Sequence, residues 1–487
     1  MVLYLAVFAA EAKDTKSREA KYIILMIGDG MNIEHEIAAS RYLYGKDFKL
    51  SFHKLPYQAN VATWDVTTYN YWSGGVYDPN AINPKYGYDP SIGGKEPYPL
   101  GHELLGAKSY HIAKATDSAS AATAWATGYK TDDGNIAWLP GDPDAGGNRK
   151  NDGSLKTIAE WLRELKDYAI GVVSTVPFTH ATPDAHVSHN KSRNNYHAIG
   201  KEILTEVKPE VVIGAGYPAG SSCTNTKSSS YISKETYDAV CADEDYIVVT
   251  RISGVDGGMA ILRAAQQAAA NGKKLFGLFG GSGGHFESLV PHDLPETPLV
   301  TQAARDNPTL AEATLAALKV LSQDPDGFFL MAEQGDIDWA NHANDFRRMI
   351  GTMKDLHDAV QAVIDYVNQP DDEMDWNNTL LIVHSDHSNS YMRNQVRLGA
   401  GELPIQNGPP YVYPEGEVTY GTTNHTNELT RLYAKGTNIH KFKKYEGKWY
   451  PGTEILDNTQ LFHMMMEAAG VPIESPLRLD PRLRREN

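Results

Sequence analysis

The stretch Tyr22-Ile-Ile-Leu-Met-Ile-Gly-Asp-Gly30 sets six apolar residues directly in front of a Gly-Asp-Gly turn. A short apolar run bounded by turn residues reads as a strand buried on both faces, the kind found inside parallel sheets. It leaves Asp29 just past the strand's carboxyl end. The same pattern recurs down the chain, with further strand-like runs at 168–174, 210–213, 246–250, 274–279, 328–332, 379–384 and 430–434. Helical periodicity separates several of them, at 155–166, 257–270, 310–321, 345–367 and 459–469. This alternation predicts an α/β fold: a mostly parallel central sheet with helices on both faces. Ligands in such sheets bind beyond the carboxyl ends of the strands.

The chain has 487 residues, enough for two or three average domains or for one sheet with long insertions. We expect a single catalytic domain over 21–475, a leader remnant over 1–20 and a C-terminal tail over 476–487. Two segments break the rhythm, near 64–110 (YNYWSGGVYDPNAINPKYGYDP) and 389–423 (GELPIQNGPPYVYPEGE). Loops of that length act as lids, binding loops or interfaces, or else pack their aromatics onto their own domain.

Forty-five basic against 61 acidic residues leave a net charge of -16, which argues against nucleic acid or an anionic membrane as partner. An anionic substrate therefore needs a locally positive site. The two cysteines, Cys223 and Cys241, lie in a Ser/Thr-rich segment and are expected to pair. The run MVLYLAVFAAEA ends like a secretory signal, although no Lys or Arg precedes it. No later run approaches the ~20 apolar residues of a membrane span. Together these features predict a soluble exported protein, periplasmic or secreted.

Four strand ends carry the chemistry. The first brings Asp29. The second, FFLMAEQGDIDWANHAND, brings Glu333, Asp338 and, four residues later, His342; on a helix that spacing sets carboxylate and imidazole on one face. LLIVHSDHSNS delivers Asp386 and His387, with His384 one alternation earlier, and GTTNHTNEL adds His425. Buried carboxylates without a cation are costly, so this gathering points to metal. Asp and neutral His suit Zn2+, and the oxygen donors left over, Glu333 and Thr182 of FTHATPD, suit Mg2+. Chemistry permits a division into Asp338, His342 and His425, then Asp29, Asp386 and His387, then Glu333, Thr182 and Asp29; spacing supports only the clustering. Among the hydroxyls of ATDSASAATAWATG (115–128), no Gly-x-Ser-x-Gly elbow marks a nucleophile.

The ordered motifs IGDGM, TDSASAATAWATG, HATPDAHVSHNKSR, EQGDIDWANH, SDH and NHT resemble those of the alkaline phosphatase family, the dinuclear-zinc phosphomonoesterases. The resemblance runs from Tyr22 to about Gly470. It implies an alkaline phosphatase-like fold and hydrolysis of small phosphate monoesters through a phosphoserine at Ser118, with Arg193 binding phosphate. It also implies two Zn2+ and one Mg2+ per chain, held as in the division above, and a homodimer. Asp117 precedes the nucleophile at the mouth of the Ala-rich helix. His180 and Trp339 occupy positions that vary in the family and lie near the magnesium, where this pair implies a weaker third site. A sulfatase is disfavoured because Ser118 is not followed by x-Pro-x-Arg. A phosphodiesterase is disfavoured by Glu333, Thr182 and Arg193, and a non-catalytic binding protein by the intact set. The loop GGSGGHFE (280–287) reads as a strand-to-loop turn rather than a phosphate cradle, and GDPDAGGN (141–148) lacks the 12-residue loop of a calcium hand.

Overall fold

In the computed structural model, the run Tyr22–Gly28 is a strand, β1, buried at every residue. The structure describes residues 19–97, 99, 101–141, 153–281, 284–286, 289–370 and 373–471. The leader up to residue 18, the tail over 476–487, most of GDPDAGGN and three residues of GGSGGHFE lie outside the described residues.

The strands that follow β1 are β2 (Tyr57–Ala62), β3 (Ala169–Pro177), β4 (Val211–Ala215), β5 (Tyr246–Thr250), β6 (Lys274–Leu278), the hairpin β7 (Leu289–His292) and β8 (Leu299–Gln302), β9 (Phe328–Gln334) and β10 (Thr379–His384). After them come β11 (Ser388–Asn389), β12 (Arg393–Asn394), β13 (Val418–Thr419), β14 (His425–Thr426), β15 (Thr430–Gly436) and β16 (Ile455–Asp457). Ten of them form one sheet in the order β16-β2-β15-β10-β1-β9-β3-β4-β6-β5. Only β15 runs antiparallel to its neighbours, so the mostly parallel α/β sheet read from the sequence is the fold observed.

Alternation along β1 explains the two layers of helices. Ile23, Leu25 and Ile27 join one apolar core with Trp125, Leu162 and Met465, from the helices Ser118–Thr127, Ile158–Lys166 and Thr459–Ala468. Tyr22, Ile24 and Met26 face the other core, with Leu318 and Leu356 from the helices Leu310–Leu321 and Phe346–Val367. Each such side chain, fully buried, contributes about 1.5–3 kcal/mol, which locks the register that aligns the ends of β1, β9 and β10.

Two sheet strands escaped the sequence reading. β2 (YQANVA) alternates exposed and buried residues and carries few large apolar groups, and β16 has three residues. In the segment near 64–110, Trp64, Tyr69, Tyr88 and Tyr110 pack inward with Trp449 and Tyr450 as a third apolar cluster. The Trp64 indole donates to the Tyr450 hydroxyl (2.7 Å). Cys223 and Cys241 form a disulfide, as expected, and among the described residues no helix is long and apolar enough to cross a membrane.

Candidate active site

The carboxyl ends of β1, β9 and β10 converge on one point. Asp29 follows β1, Glu333 is the penultimate residue of β9, and Asp386 and His387 follow β10. The helix Asp336–His342 starts just beyond β9 and presents Asp338 and His342 on one face. The short β11–β14 ladder pairs Asn389 with His425, which draws His425 to the same place. Gly30 makes the closure possible: it sits at φ +70°, and a Cβ there would come within 2.9 Å of an Asp338 oxygen.

Asp338, His342 and His425 form one group. The Asp338 carboxylate lies 3.2 Å from His342 Nε2 and 3.4 Å from His425 Nε2, and the two Nε2 atoms are 3.1 Å apart. Both Nδ1 atoms face carbonyl oxygens, of Thr423 (2.6 Å) and Thr116 (2.9 Å), so each Nδ1 carries the hydrogen. The Nε2 atoms are then the variable positions, and they converge with a carboxylate on one point. Asp29, Asp386 and His387 form a second, deeper group, with His387 Nε2 3.0 Å from Asp386 Oδ2 and 3.5 Å from Asp29 Oδ1. Neither of those two oxygens has a hydrogen bond of acceptable geometry, although both are buried. Asp338 stands close enough to Asp29 and His387 to join this group as well.

Charge balance tells the same story. Burial, then repulsion from Asp386, Asp338 and Glu333, pushes the Asp29 carboxyl well above the usual range. Burial raises Glu333 to about 7. Burial opposes ionisation of Asp386 too, but His387 outweighs it and holds it near 2. His342, also disfavoured by burial, is held up to about 9 by Asp338. In the free chain His342 offsets Asp338 and His387 offsets Asp386, while Asp29 and Glu333 are pushed toward their protonated forms, and a divalent cation at either group would displace these protons. The donor sets therefore fit Zn2+ at the two His-bearing groups. Glu333, with the Thr182 hydroxyl beside it and Asp29 across, offers oxygen donors that suit Mg2+. A further carboxylate group, Asp65, Asp117 and Asp133, is balanced by Arg193 and Lys114.

Ser118 is the first residue of the helix Ser118–Thr127, with Asp117 as its cap accepting from the Ser120 amide (2.9 Å). Its Oγ lies 3.2 Å from His387 Nε2 and faces the positive end of the helix. Arg193 donates to Asp117 Oδ2 (3.1 Å), and its backbone amide donates to the Gly134 carbonyl (2.7 Å). The guanidinium is thus fixed beside the same helix mouth. The site opens on the first group's side: the His342 side chain is 39% exposed and His425 18%, against 0% for His387.

The family model described as alkaline phosphatase matches residues 101–215 and 260–407. The chain belongs to the alkaline phosphatase family. Alkaline phosphatase 3 of Bacillus subtilis is 29% identical over 78% of this chain, a match spanning 63% of that relative's own length. The alkaline phosphatase of Escherichia coli is 27% identical over 95% of this chain and 89% of its own. The solved alkaline phosphatase of the Antarctic bacterium TAB5 shares the fold at a TM-score of 0.58 and 20% identity, covering 93% of this chain and 99% of that one.

Other residues of this alkaline phosphatase family member fall around that centre. His180 caps the helix Ala181–Val187, its ring stacked on Tyr196 and edge-on to Trp339 (5.6 Å); burial lowers it to about 3, so it is neutral. Trp339 also meets His285, which pairs with Asp336 (3.0 Å). His384 points elsewhere: it packs against Trp125 inside the core and belongs to neither group. Sequence reasoning missed Asn389, which donates to the Asp338 carboxylate, and Ser174, which donates to Glu333. It also missed Glu428, which accepts from Ser388 (2.9 Å) and Thr426 (2.8 Å), each adjacent to a clustered histidine. Asn389 and Ser388 lay within the quoted LLIVHSDHSNS; nothing local marks Glu428.

Proposed function

We propose that the chain hydrolyses phosphate monoesters to alcohol and inorganic phosphate through a covalent phosphoserine at Ser118. The observation that carries this reading is the position of the Ser118 hydroxyl, at a positive helix end, 3.2 Å from a histidine of the acid and imidazole gathering. Free serine is a poor nucleophile and needs a base, a lowered pKa or a metal, and among the described residues no histidine-carboxylate pair is set apart as a base for it. Asp338, His342 and His425 would hold one Zn2+, Asp29, Asp386 and His387 the other, and Thr182, Glu333 and Asp29 a Mg2+. When bound, these cations supply Lewis acidity to the attacking, departing and non-bridging oxygens.

The chain's own residues then do the following. Ser118 Oγ, giving up its proton to solvent, bonds to phosphorus in line as the ester P–O bond breaks on the opposite, more open side, toward His342 and His425, where the departing oxygen takes a proton from water to leave as the alcohol. Arg193 presents its planar fork to two non-bridging oxygens, which offsets the charge of a dianion that a neutral or diester substrate would not carry. Asp117 holds that fork in orientation through its Oδ2. Water enters from the side the alcohol has left and releases phosphate from Ser118. His180 and Trp339 line the magnesium ligands without adding a charge, which weakens the third site. The disulfide supports an exported location, periplasmic or secreted.

Turnover of an aryl phosphate, a bis-aryl phosphate and an aryl sulfate tests the assignment. The monoester should be preferred by orders of magnitude, and a preference for either other ester overturns it.

A further inference from the structure

Beyond the carboxyl ends of β4, β5 and β6, on the same rim as Asp29 but toward the sheet's other edge, lies a cavity of about 780 Å3. Its walls include the rings of Tyr217 and Tyr231, the cations Lys227 and Arg251, and the backbone of Gly216 and Gly280. The volume falls in the range of small-molecule sites, and strand carboxyl ends are where open α/β sheets bind ligands. From β9 to β6 is three strand spacings, roughly 14 Å, so this is not the pocket at Ser118.

Its charge runs against that of the chain. The net charge is -16, yet among the described residues the one carboxylate in the lining is Asp306. Nearby acids are already engaged, Asp238 with Lys234 (2.6 Å) and Asp256 with Arg305 (2.7 Å). The Lys227 ammonium donates to the Ala219 carbonyl (3.1 Å) rather than to a carboxylate. Arg251 donates to the Gly280 carbonyl (2.6 Å), with Asp306 3.6 Å away, which fixes its guanidinium in the wall.

The cavity is also built to hold its shape. Gly216 and Gly280 stand at φ +105° and +110°, and a Cβ would meet Tyr231 Cβ at 3.0 Å and Ala215 Cβ at 2.9 Å respectively. Backbone, not side chain, must line those points. The loop that carries Lys227 and Tyr231 is closed by the Cys223–Cys241 disulfide. It is tied to the segment after Arg193 by His197 Nε2 at the Ser229 carbonyl (2.8 Å), and Tyr231 packs 5.1 Å from Tyr196. Walls held in place this way lower the ordering cost of binding.

We propose that this cavity is a second binding site, separate from the one at Ser118, for a small organic anion that carries a ring. The anionic group, phosphate or carboxylate, lies between Lys227 and Arg251, and the ring lies against Tyr217 and Tyr231.

Phenylphosphonate, whose P–C bond is not a hydrolysable ester, tests this by calorimetric titration of the metal-loaded enzyme. Two sites per chain are expected. Lys227→Glu, and separately Ser230→Asp, which also puts a carboxylate in the lining, should each weaken one of them at least tenfold and leave aryl phosphate turnover unchanged. Arg193→Ala should weaken the other site only. A single site that Arg193→Ala weakens overturns the proposal, as does a second site indifferent to both charge variants. Inorganic phosphate should bind the second site more weakly than phenylphosphonate, and equal affinities overturn the tyrosine wall. Aryl phosphate turnover, measured in parallel, reports on the Ser118 reading alone.

Discussion

One rim of one sheet carries two sites of opposite sign. Past β1, β9 and β10 it gathers Asp29, Glu333, Asp386 and Asp338 with three imidazoles; past β4, β5 and β6 it offers Lys227 and Arg251. The strands are the same in kind, parallel and apolar, and all but the edge strand β5 are buried at their carboxyl ends. The difference lies in the first residues of each loop. At the acid rim, carboxylates sit inside the fold, where burial makes them costly unless a cation is close. At the basic rim Lys227 sits at the surface, and the partly buried Arg251 is held by the Gly280 carbonyl and Asp306, so neither costs much. The acid rim should therefore depend on its ions for both chemistry and stability, and the basic rim on neither.

The sharpest break between the two rims is Ser118→Ala. It should lower kcat for an aryl phosphate on the order of 10³-fold or more, because the covalent step loses its nucleophile. Phosphate affinity and phenylphosphonate binding past β6 should persist. Burst kinetics with trapping of phosphoserine measures the loss, and unchanged turnover would remove Ser118 from the mechanism.

Dialysis against a chelator comes next. Turnover should vanish, and the calorimetric Tm should fall, because an ion bound only by the folded state at 100 times its Kd stabilises by about 2.7 kcal/mol. Readdition of zinc with magnesium should restore both. Binding at the basic rim should not change; if it did, the two rims would not be separate sites.

Arg193→Ala should act more mildly. Losing charge-assisted hydrogen bonds worth about 1.5–3 kcal/mol weakens phosphate inhibition roughly 10- to 100-fold. Asp117→Asn, which keeps the shape of the cap but weakens its hold on the guanidinium, should give a smaller change in the same direction. Competition by inorganic phosphate measures both, and a larger effect from Asp117→Asn would invert the order of roles.

The acid rim could be read in the sequence because most of its groups directly follow an apolar run or sit one helical turn from another clustered side chain; His425 does neither and is brought in by the β11–β14 ladder. Asp29, Glu333, Asp386 and Asp338 with His342 all obey that grammar, and so do the eight strands that were expected. Residues that contribute through long-range pairing could not be read that way. Glu428 and Asn389 matter because the β11–β14 ladder folds them back on the site, and four residues of ladder leave no periodic trace. His384, the last residue of β10, was left out of the ligand sets, and its ring packs against Trp125 in the core. The basic rim was missed almost entirely: its cations come from a loop closed by a disulfide and from the residue after β5, and charge at such positions looks like ordinary surface. GGSGGHFE was read as a turn; Gly280, at φ +110°, lines the cavity with its backbone.

The segment between the rims gives the smallest effect and isolates what joins them. His189 stands four residues before Arg193, its Nδ1 2.8 Å from Glu202 and its Nε2 3.2 Å from Glu160. Burial would lower its pKa, but the two carboxylates outweigh that and hold it above the ordinary value. A histidine raised on folding contributes stability that is fully present below the unfolded value of about 6.5 and is lost as pH rises through the folded one. His189→Gln should therefore lower Tm most near pH 5–6, and the gap to wild type should narrow as pH rises. Thermal unfolding across pH 5–9 measures it. A gap that widened with pH would mean the imidazole is neutral in the fold and that the two carboxylates do not anchor the Arg193 segment by charge. Because His197 ties the same segment to Ser229, a narrowing gap accompanied by weaker phenylphosphonate binding at high pH would place the coupling between the rims in this stretch of chain.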